Sequence, residues 1–327
     1  MTVLTSEIKF YRSAVVSDSP ANGGRLGIAE AVSAVSQAVF PDVPESERTA
    51  GSVKYRKLFI KVENPNDEAF LNVFLFLDKV TPADDEMRFF VGTQTDTQND
   101  ISGPTLYGVG DLNATVLAGV NSIAVLVEDW SAGVIFRNGD TIRISDGTNE
   151  EIHTINGAPG VAGNIITLTL TNNLANGYNS ANTSISSGLN IGTIQADFDT
   201  WVETAAGSGT YAEGTPGNVV VDAIGGIEQD WTITFTSATN YNLTGNTLGA
   251  VGSGTVGGNF APNNPDFSAP YFTILSAGWG GTWQTGDTIT FTTHPAAQPV
   301  WYERTVPAGA AALASNFIDS VVIGESA

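Results

Sequence analysis

The sequence predicts a mainly β protein: two or three antiparallel β-sandwich or small-barrel domains with one main helix near residues 27–39. Three observations carry that prediction. Runs of strand length recur along the chain, separated by glycine, proline and asparagine turns. Only one stretch carries a helical period. The 327 residues, 42% of them hydrophobic and 14% charged, have the composition of a folded chain with enough apolar surface for several cores. The absence of cysteine excludes a disulfide framework, thiolate metal sites and thiol catalysis together. No apolar run approaches the ~20 residues that span a bilayer, and Met1 to Phe10 lacks the basic start and apolar centre of a signal peptide. A soluble protein with no membrane partner is expected.

In the first segment, residues 1–105, Ile8, Phe10 and Arg12 open a strand-like alternation, and Ser19 to Gly24 reads as a turn. Ile28, Ala31, Val32, Val35 and Val39 form an apolar stripe at helical spacing that ends at Pro41, which places the helix. Pro44 to Arg48 reads as a connecting turn. Ser52 to Val62 alternates without a clean polar face, Phe70 to Leu77 is apolar on both faces, as in a central strand, and Met87 to Val91 completes the set. This segment is the expected docking domain.

Residues 106–190 form the second expected domain, a small barrel or sandwich, with strands at Ile123–Val127, Gly133–Phe136, Thr141–Ile144, Glu151–Ile155 and Ile165–Leu170. An Asn-, Ser- and Gly-rich linker follows over 172–190. Residues 191–327 form a C-terminal sandwich with strands at Trp201–Thr204, Asn218–Ala223, Trp231–Thr236, Tyr271–Leu275, Thr288–Thr292 and Val300–Val306. A long Gly-rich loop, 245–264, interrupts it. Phe136 to Ile144 and Trp283 to Phe291 share the pattern aromatic-x-x-Gly-Asp-Thr-Ile-x-apolar, either two similar hairpins or a duplicated domain.

No catalytic, cofactor or metal residues are assigned. His153 reads as a strand histidine and His294, before Pro295, as a turn residue; neither lies in a nucleophile-elbow or zincin motif. Asp84-Asp85-Glu86 lacks the alternating ligands and glycine bend of a calcium loop and reads as a solvated turn. The glycine pairs are not phosphate loops, because no lysine follows them. Trp279, Trp283, Trp301 and Tyr302 either line an exposed saccharide site or fill a core.

The net charge of −21 is uneven: residues 1–88 hold 10 basic and 13 acidic groups, the rest only 3 and 21. So acidic a chain is not expected to bind nucleic acid directly. Arg12, Arg25, Arg48, Lys54, Arg56 and Lys57 either pair with acidic surface on neighbouring copies or lie on a solvated strand edge.

Asn22-Gly23-Gly24-Arg25, Phe40-Pro41-Asp42-Val43-Pro44, Tyr55-Arg56-Lys57, Phe76-Leu77-Asp78 and Gly92-Thr93-Gln94-x-Asp96-Thr97-Gln98 resemble a recurring structural protein of tailed-bacteriophage and prophage virion gene clusters. Trp279-Gly280-Gly281-Thr282-Trp283 and Trp301-Tyr302-Glu303-Arg304-x-Val306-Pro307 resemble the same proteins. The resemblance implies a non-enzymatic virion part with no cofactor, assembled in the host cytoplasm as a multi-copy ring such as a collar or neck at the head–tail junction. Its partners would be copies of itself and other virion proteins. A capsid decoration protein and a baseplate or fibre carbohydrate-binding module are the alternatives, and a glycosidase-like enzyme is the last of them.

Overall fold

The alternation of Ser52–Val62 has no polar face because the structure covers both of its faces. The computed structural model describes residues 2–127 and 134–327 and is mainly β, with several antiparallel sheets and, among the described residues, no closed barrel. The first segment holds β1 (Ile8–Val15), β2 (Gly23–Glu30), the helix α1 (Glu45–Ala50), β3 (Ser52–Val62), β4 (Phe70–Leu77) and β5 (Glu86–Val91). Leu58, Ile60 and Val62 of β3 point into an apolar core shared with Val73, Leu75 and Leu77 of β4. Because side chains alternate along a strand, Lys57, Phe59 and Lys61 point the other way.

One α-helix is present among the described residues, but it is α1 and not residues 27–39. Gly27 and Ile28 continue β2, which pairs with β1 through Ser13↔Leu26 and Tyr11↔Glu30. Residues 31–40 then turn, with Ala34 and Gln37 in the left-handed region at φ 61° and 59°. The stripe is rich in β-branched residues, which lose rotamer freedom in a helix, and the β1 ladder offers their backbone an alternative. Ile28 and Val35 are left exposed (64% and 55%).

The second segment contains β6 (Tyr107–Leu112), β7 (Ser122–Leu126), β8 (Thr141–Ser145), β9 (Glu150–Thr154), β10 (Gly160–Ala162), β11 (Ile165–Thr169) and β12 (Ser184–Ser187). Their core is local, built from Leu112, Ile123, Val125, Ile142, Ile144, Ile166, Leu168 and Ile185. The expected strand Gly133–Phe136 begins outside the described residues, and residues 134–136 are not a strand. Residues 172–190 are no linker: Leu174 and Tyr178 are buried, β12 lies within the stretch, and Leu174 N and Tyr178 N donate to Val120 O and Val116 O. Its asparagines and serines serve tight turns; Asn179 O, for example, accepts from Thr183 Oγ1. The Gly-Asp repeat is a shared turn. Gly139 and Gly286 both have positive φ (86° and 93°), and Asp140 and Asp287 each accept the backbone N–H three residues earlier at 2.8 Å.

After β13 (Leu189–Ile194), the third segment runs through β14 (Asp197–Thr204), β15 (Thr210–Tyr211), β16 (Val219–Val221), β17 (Gln229–Phe235), β18 (Asn240–Gly245), β19 (Gly249–Thr255), β20 (Asn263–Asn264), β21 (Ala269–Pro270), β22 (Phe272–Ile274), β23 (Trp279–Gly280) and β24 (Thr288–His294). Its main sheet has the order β14-β24-β17-β18-β19 over a third core containing Trp231, Ile233, Tyr241 and Phe291. The expected loop 245–264 is largely the β18–β19 hairpin. A Cβ at Gly254 would come within 2.6 Å of the Tyr241 ring, so glycine there lets β19 lie close over the aromatic core.

The chain then returns to its start. β25 (Ala297–Val306) inserts between β3 and β5, and β26 (Ser320–Ser326) pairs with β4 in the sheet β13-β4-β26, which packs over the first core. Residues 297–327 therefore belong with the first segment, and 191–327 is not one sandwich. Val300 and Tyr302 fill the first core while Trp301 takes the opposite face, matching the alternation of β3. Adjacency of β24 and β25 in sequence hides this, because the partners of β25 lie more than 200 positions away.

A fragment of residues 1–105 lacks β25, β13 and β26 and is expected to show no cooperative thermal transition by circular dichroism, whereas residues 106–188 retain their own core and melt cooperatively. A cooperative melt of 1–105 alone refutes this reading.

Candidate assembly site

Lys57 is the most deeply buried of the candidate interface residues. Its side chain is wholly buried, and its ammonium reaches Asp96 Oδ1 at 2.7 Å, Gly24 O at 2.6 Å and Asp96 O at 3.1 Å. Those three acceptors come from the start of β2 and the loop after β5. Trp301 Nε1 donates to the other carboxylate oxygen, Asp96 Oδ2, at 2.8 Å, and Thr93 N donates to Oδ1 at 3.0 Å. Gly24 N in turn donates to Asp96 O, and Asn22 Nδ2 to Tyr55 O and Gln98 Oε1. At Gly23 (φ 108°) a Cβ would meet Trp301 at 2.7 Å, so the turn sits against the indole only because that residue is glycine. The Phe59 and Trp301 rings lie 4.9 and 5.9 Å from the ammonium, and Phe90 stacks on Trp301. Burial pushes the Lys57 ammonium below its ordinary value, against the hydrogen bond and charge of Asp96.

Lys61 repeats the pattern four positions on, on the same face of β3. It is wholly buried and donates to Ala223 O, Ile224 O and Glu63 Oε1 at 3.0, 2.8 and 3.2 Å, beneath the Phe267 ring at 4.8 Å. This lysine ties the first sheet to the third segment. Burial lowers its pKa, while Glu63 opposes the shift.

Arg12, Arg25, Lys54 and Arg56 are also engaged within the chain. Arg56 Nη2 pairs with Asp18 at 2.6 Å, and Lys54 with Asp18 and Glu47 at 2.8 and 2.5 Å. Arg12 Nε donates to Ala38 O, and Arg25 Nη1 to Glu228 O, Gln229 Oε1 and Thr247 Oγ1. Arg48 is half-buried on α1. β3 lies between β1 and β25, so it is neither a solvated edge nor a free basic face; the ion pairs expected between copies are made inside one copy. The two arginines Arg56 and Arg304 flank the Phe40 ring at 5.5 and 4.7 Å, closing the end of the first core.

The four aromatic residues are not one exposed site. Trp301 and Tyr302 project from opposite faces of β25 and are buried, Trp283 is buried, and half-buried Trp279 packs on Tyr211, Phe235 and Tyr241 in the third core. Asp85 and Glu86 are buried too, correcting the solvated turn; Asp85 accepts from Asn316 Nδ2 at 2.8 and 2.9 Å.

Two polar knots escaped the sequence reading because their members are remote in the chain. Glu151 accepts from Ala175 N, Asn176 N, Asn176 Nδ2, Tyr178 Oη and His153 Nε2. Burial works against its ionisation, but these donors pull its pKa down to about 2. His294, which ends β24 instead of lying in a turn, is held by Glu228 Oε2 at 2.8 Å and Asp199 Oδ1 at 3.3 Å. Burial lowers the imidazole pKa, yet the two carboxylates win and raise it above 6.5. Among the described residues no helix is long and apolar enough to cross a membrane, and no group of three or more metal-binding side chains occurs.

No family model and no curated protein matches the chain. Among solved structures, Xanthomonas campestris FlgL is 19% identical over 31% of this chain with a TM-score of 0.21, and the chain spans 28% of that protein's length. VP17, a capsid protein of bacteriophage P23-77, is 8% identical over 79% of this chain and 89% of its own, with a TM-score of 0.20. The VP16–VP17 complex of the two major capsid proteins of the same phage gives 8%, 78%, 89% and 0.19. Likenesses this slight carry no conclusion about the chain.

Lys57→Met strands the Asp96 carboxylate and is expected to cost about 3–5 kcal/mol in urea denaturation, and Asp96→Asn added to it recovers part of the loss. The double reversal Arg56→Glu with Lys57→Glu is expected to abolish folding itself; a variant that melts like the parent and only fails to assemble shows instead that these cations lie open.

His294 gives a pH dependence. A folded-state pKa raised above 6.5 means its stabilisation is complete below that unfolded value and fades as pH rises through the folded value. The melting-temperature gap between parent and His294→Gln should therefore be wide at about pH 5 and close at about pH 9; a gap that widens with pH refutes the assignment.

Proposed function

We propose that the chain is a non-enzymatic structural subunit of a tailed-phage virion, acting in many copies with itself and other virion proteins, and that it forms a collar or neck ring at the head–tail junction. One observation carries the reading. Four of the strings that resemble phage virion proteins, 22–25, 55–57, 92–98 and 301–304, are dispersed over the sequence yet converge on the Lys57–Asp96–Trp301 knot, while 40–44, 76–78 and 279–283 are not part of it. What these strings supply is thus a scaffold: residue types needed to bury the Lys57–Asp96 ion pair against a sheet. Residues selected for turnover would be expected to meet at a cleft instead.

The charge distribution supports the same reading. The chain's cations are drawn largely into internal pairs, so its net charge of −21 is displayed outward. An acidic surface repels DNA, which suits a part that lies beside a DNA conduit without gripping it. It also makes copies repel one another over the Debye length of ~8 Å at physiological salt, so contacts between them have to be apolar or backbone-mediated.

Immunogold electron microscopy of wild-type particles tests the placement. Label at the head–tail junction is expected. Label distributed over the capsid lattice overturns the collar in favour of a decoration protein, and particles without label overturn the virion reading altogether.

A further inference from the structure

We infer that residues 307–326 form an exchange arm: in the assembled protein β26 pairs with β4 of a second copy, as it pairs with its own β4 in the single chain. The inference rests on the multi-copy reading above and adds to it the surface that joins the copies.

The acceptor is a ladder any copy presents. Among the described residues β26 has β4 as its one strand partner, from Ser320↔Leu77 to Ser326↔Phe70, and Val322 packs on the first core. A second copy offers the same register and the same apolar contact. Exchange therefore leaves the strand's own contacts unchanged and alters only the path of its tether.

The tether has the features of a segment that is incompletely housed. Residues 311–317 are all exposed, including Leu313 and Phe317 at 50% and 46%. Between 311 and 317 its ties to the body are few: Ala311 N to Asp84 Oδ2, Asn316 Nδ2 to Asp85 and the Phe317 ring 5.0 Å from Lys79 Nζ, before Ile318 packs on the first core and Asp319 meets Asp78 N through its carbonyl and Lys79 in an exposed pair at 3.1 Å. An exposed pair of that kind is worth ~0–1 kcal/mol. Between Leu313 and Phe317 the backbone folds back through Ser315, a non-glycine residue in the left-handed region at φ 69°. An extended arm releases that conformation and can carry Leu313 and Phe317 onto a neighbour.

Reach permits the exchange. At about 3.3 Å per residue, residues 307–319 extend about 43 Å, roughly twice the ~20 Å radius of gyration expected for a chain of this length. Since a vacated β4 would leave Leu75 and Val73 partly uncovered, each copy that donates its arm has to receive another, which favours a closed ring over an open chain.

The absence of cysteine makes the test direct. Leu71 and Glu325 are register partners with accessible side chains, so Leu71→Cys with Glu325→Cys reports on which chain supplies the strand. On non-reducing gels, the oxidised assembled protein is expected to give covalent multimers, and the oxidised dilute single chain an internal disulfide only. Leu313→Asp with Phe317→Asp provides a second measurement, expected to abolish assembly while the single chain melts as the parent does. Assembled protein that closes its disulfide only within chains, or that tolerates the aspartates, overturns the arm and leaves the multi-copy reading standing. A chain that never assembles overturns both.

Discussion

Holding a lysine ammonium inside a β protein is the constraint on which most of this architecture rests. Lys57 lies on the central β3, with no solvent reaching its side chain. An ion taken out of water loses several kcal/mol of solvation, which only close and complete pairing recovers. Completeness here requires Gly24 O, the Asp96 carboxylate and Asp96 O to converge, which fixes the start of β2 and the loop after β5 against the same sheet face. Asp96 has then to be held in its turn, and Trp301 does so from β25. One charge thereby specifies the mutual placement of four remote pieces of chain. An apolar residue at position 57 would fill the space without dictating which loops cover it.

Lys61 applies the same logic to the third segment. Its acceptors Ala223 O and Ile224 O belong to the turn after β16, and Asp67 Oδ1 accepts from Ala223 N nearby, so the turn is gripped from two sides. Arg25 adds a polar tie to Glu228 and Gln229. The internal use of cations explains an otherwise odd pairing of properties: a first segment nearly balanced in charge, and a whole protein whose outer face is strongly acidic. Exposed pairs contribute ~0–1 kcal/mol and buried pairs, once broken, about 3–5 kcal/mol. The buried ones accordingly decide the fold, while the surface charge governs which neighbours approach.

Much of the β content was legible because period-two patterns and turn residues are local. Ser52–Val62 and Phe70–Leu77 have the bounds their sequence predicts, and the Gly-Asp turns use the backbone chemistry their residues suggest. Residues 27–39 misled because spacing alone does not weigh β-branched side chains against an available strand partner, here β1. The basic residues misled for a related reason. Lys54, Arg56 and Lys57 look like a charged strand face, and nothing local reveals that β25 arrives from the far end of the chain to bury it. The members of the Lys57 knot, Asn22–Gly24, Asp96 and Trp301, lie in separate parts of the sequence, and nothing local reveals that they meet.

That same long-range insertion shapes how the protein can form. With β25 between β3 and β5, the first sheet is two pieces until residues 297–306 are available, and each piece presents an unpaired edge in the meantime. Open strand edges are templates for pairing with other chains, and contacts this distant in sequence are slow to close. The second segment escapes the problem because its core is local. β4 is the other strand that waits, since β13 and β26, its two partners, both follow it by more than 100 positions. A strand that must wait for a late partner accepts one from its own chain or from a neighbour by the same hydrogen bonds. At high local concentration a neighbour's strand competes on equal terms, so the topology that makes the chain slow to complete also leaves β4 open to a strand from another chain until β26 arrives.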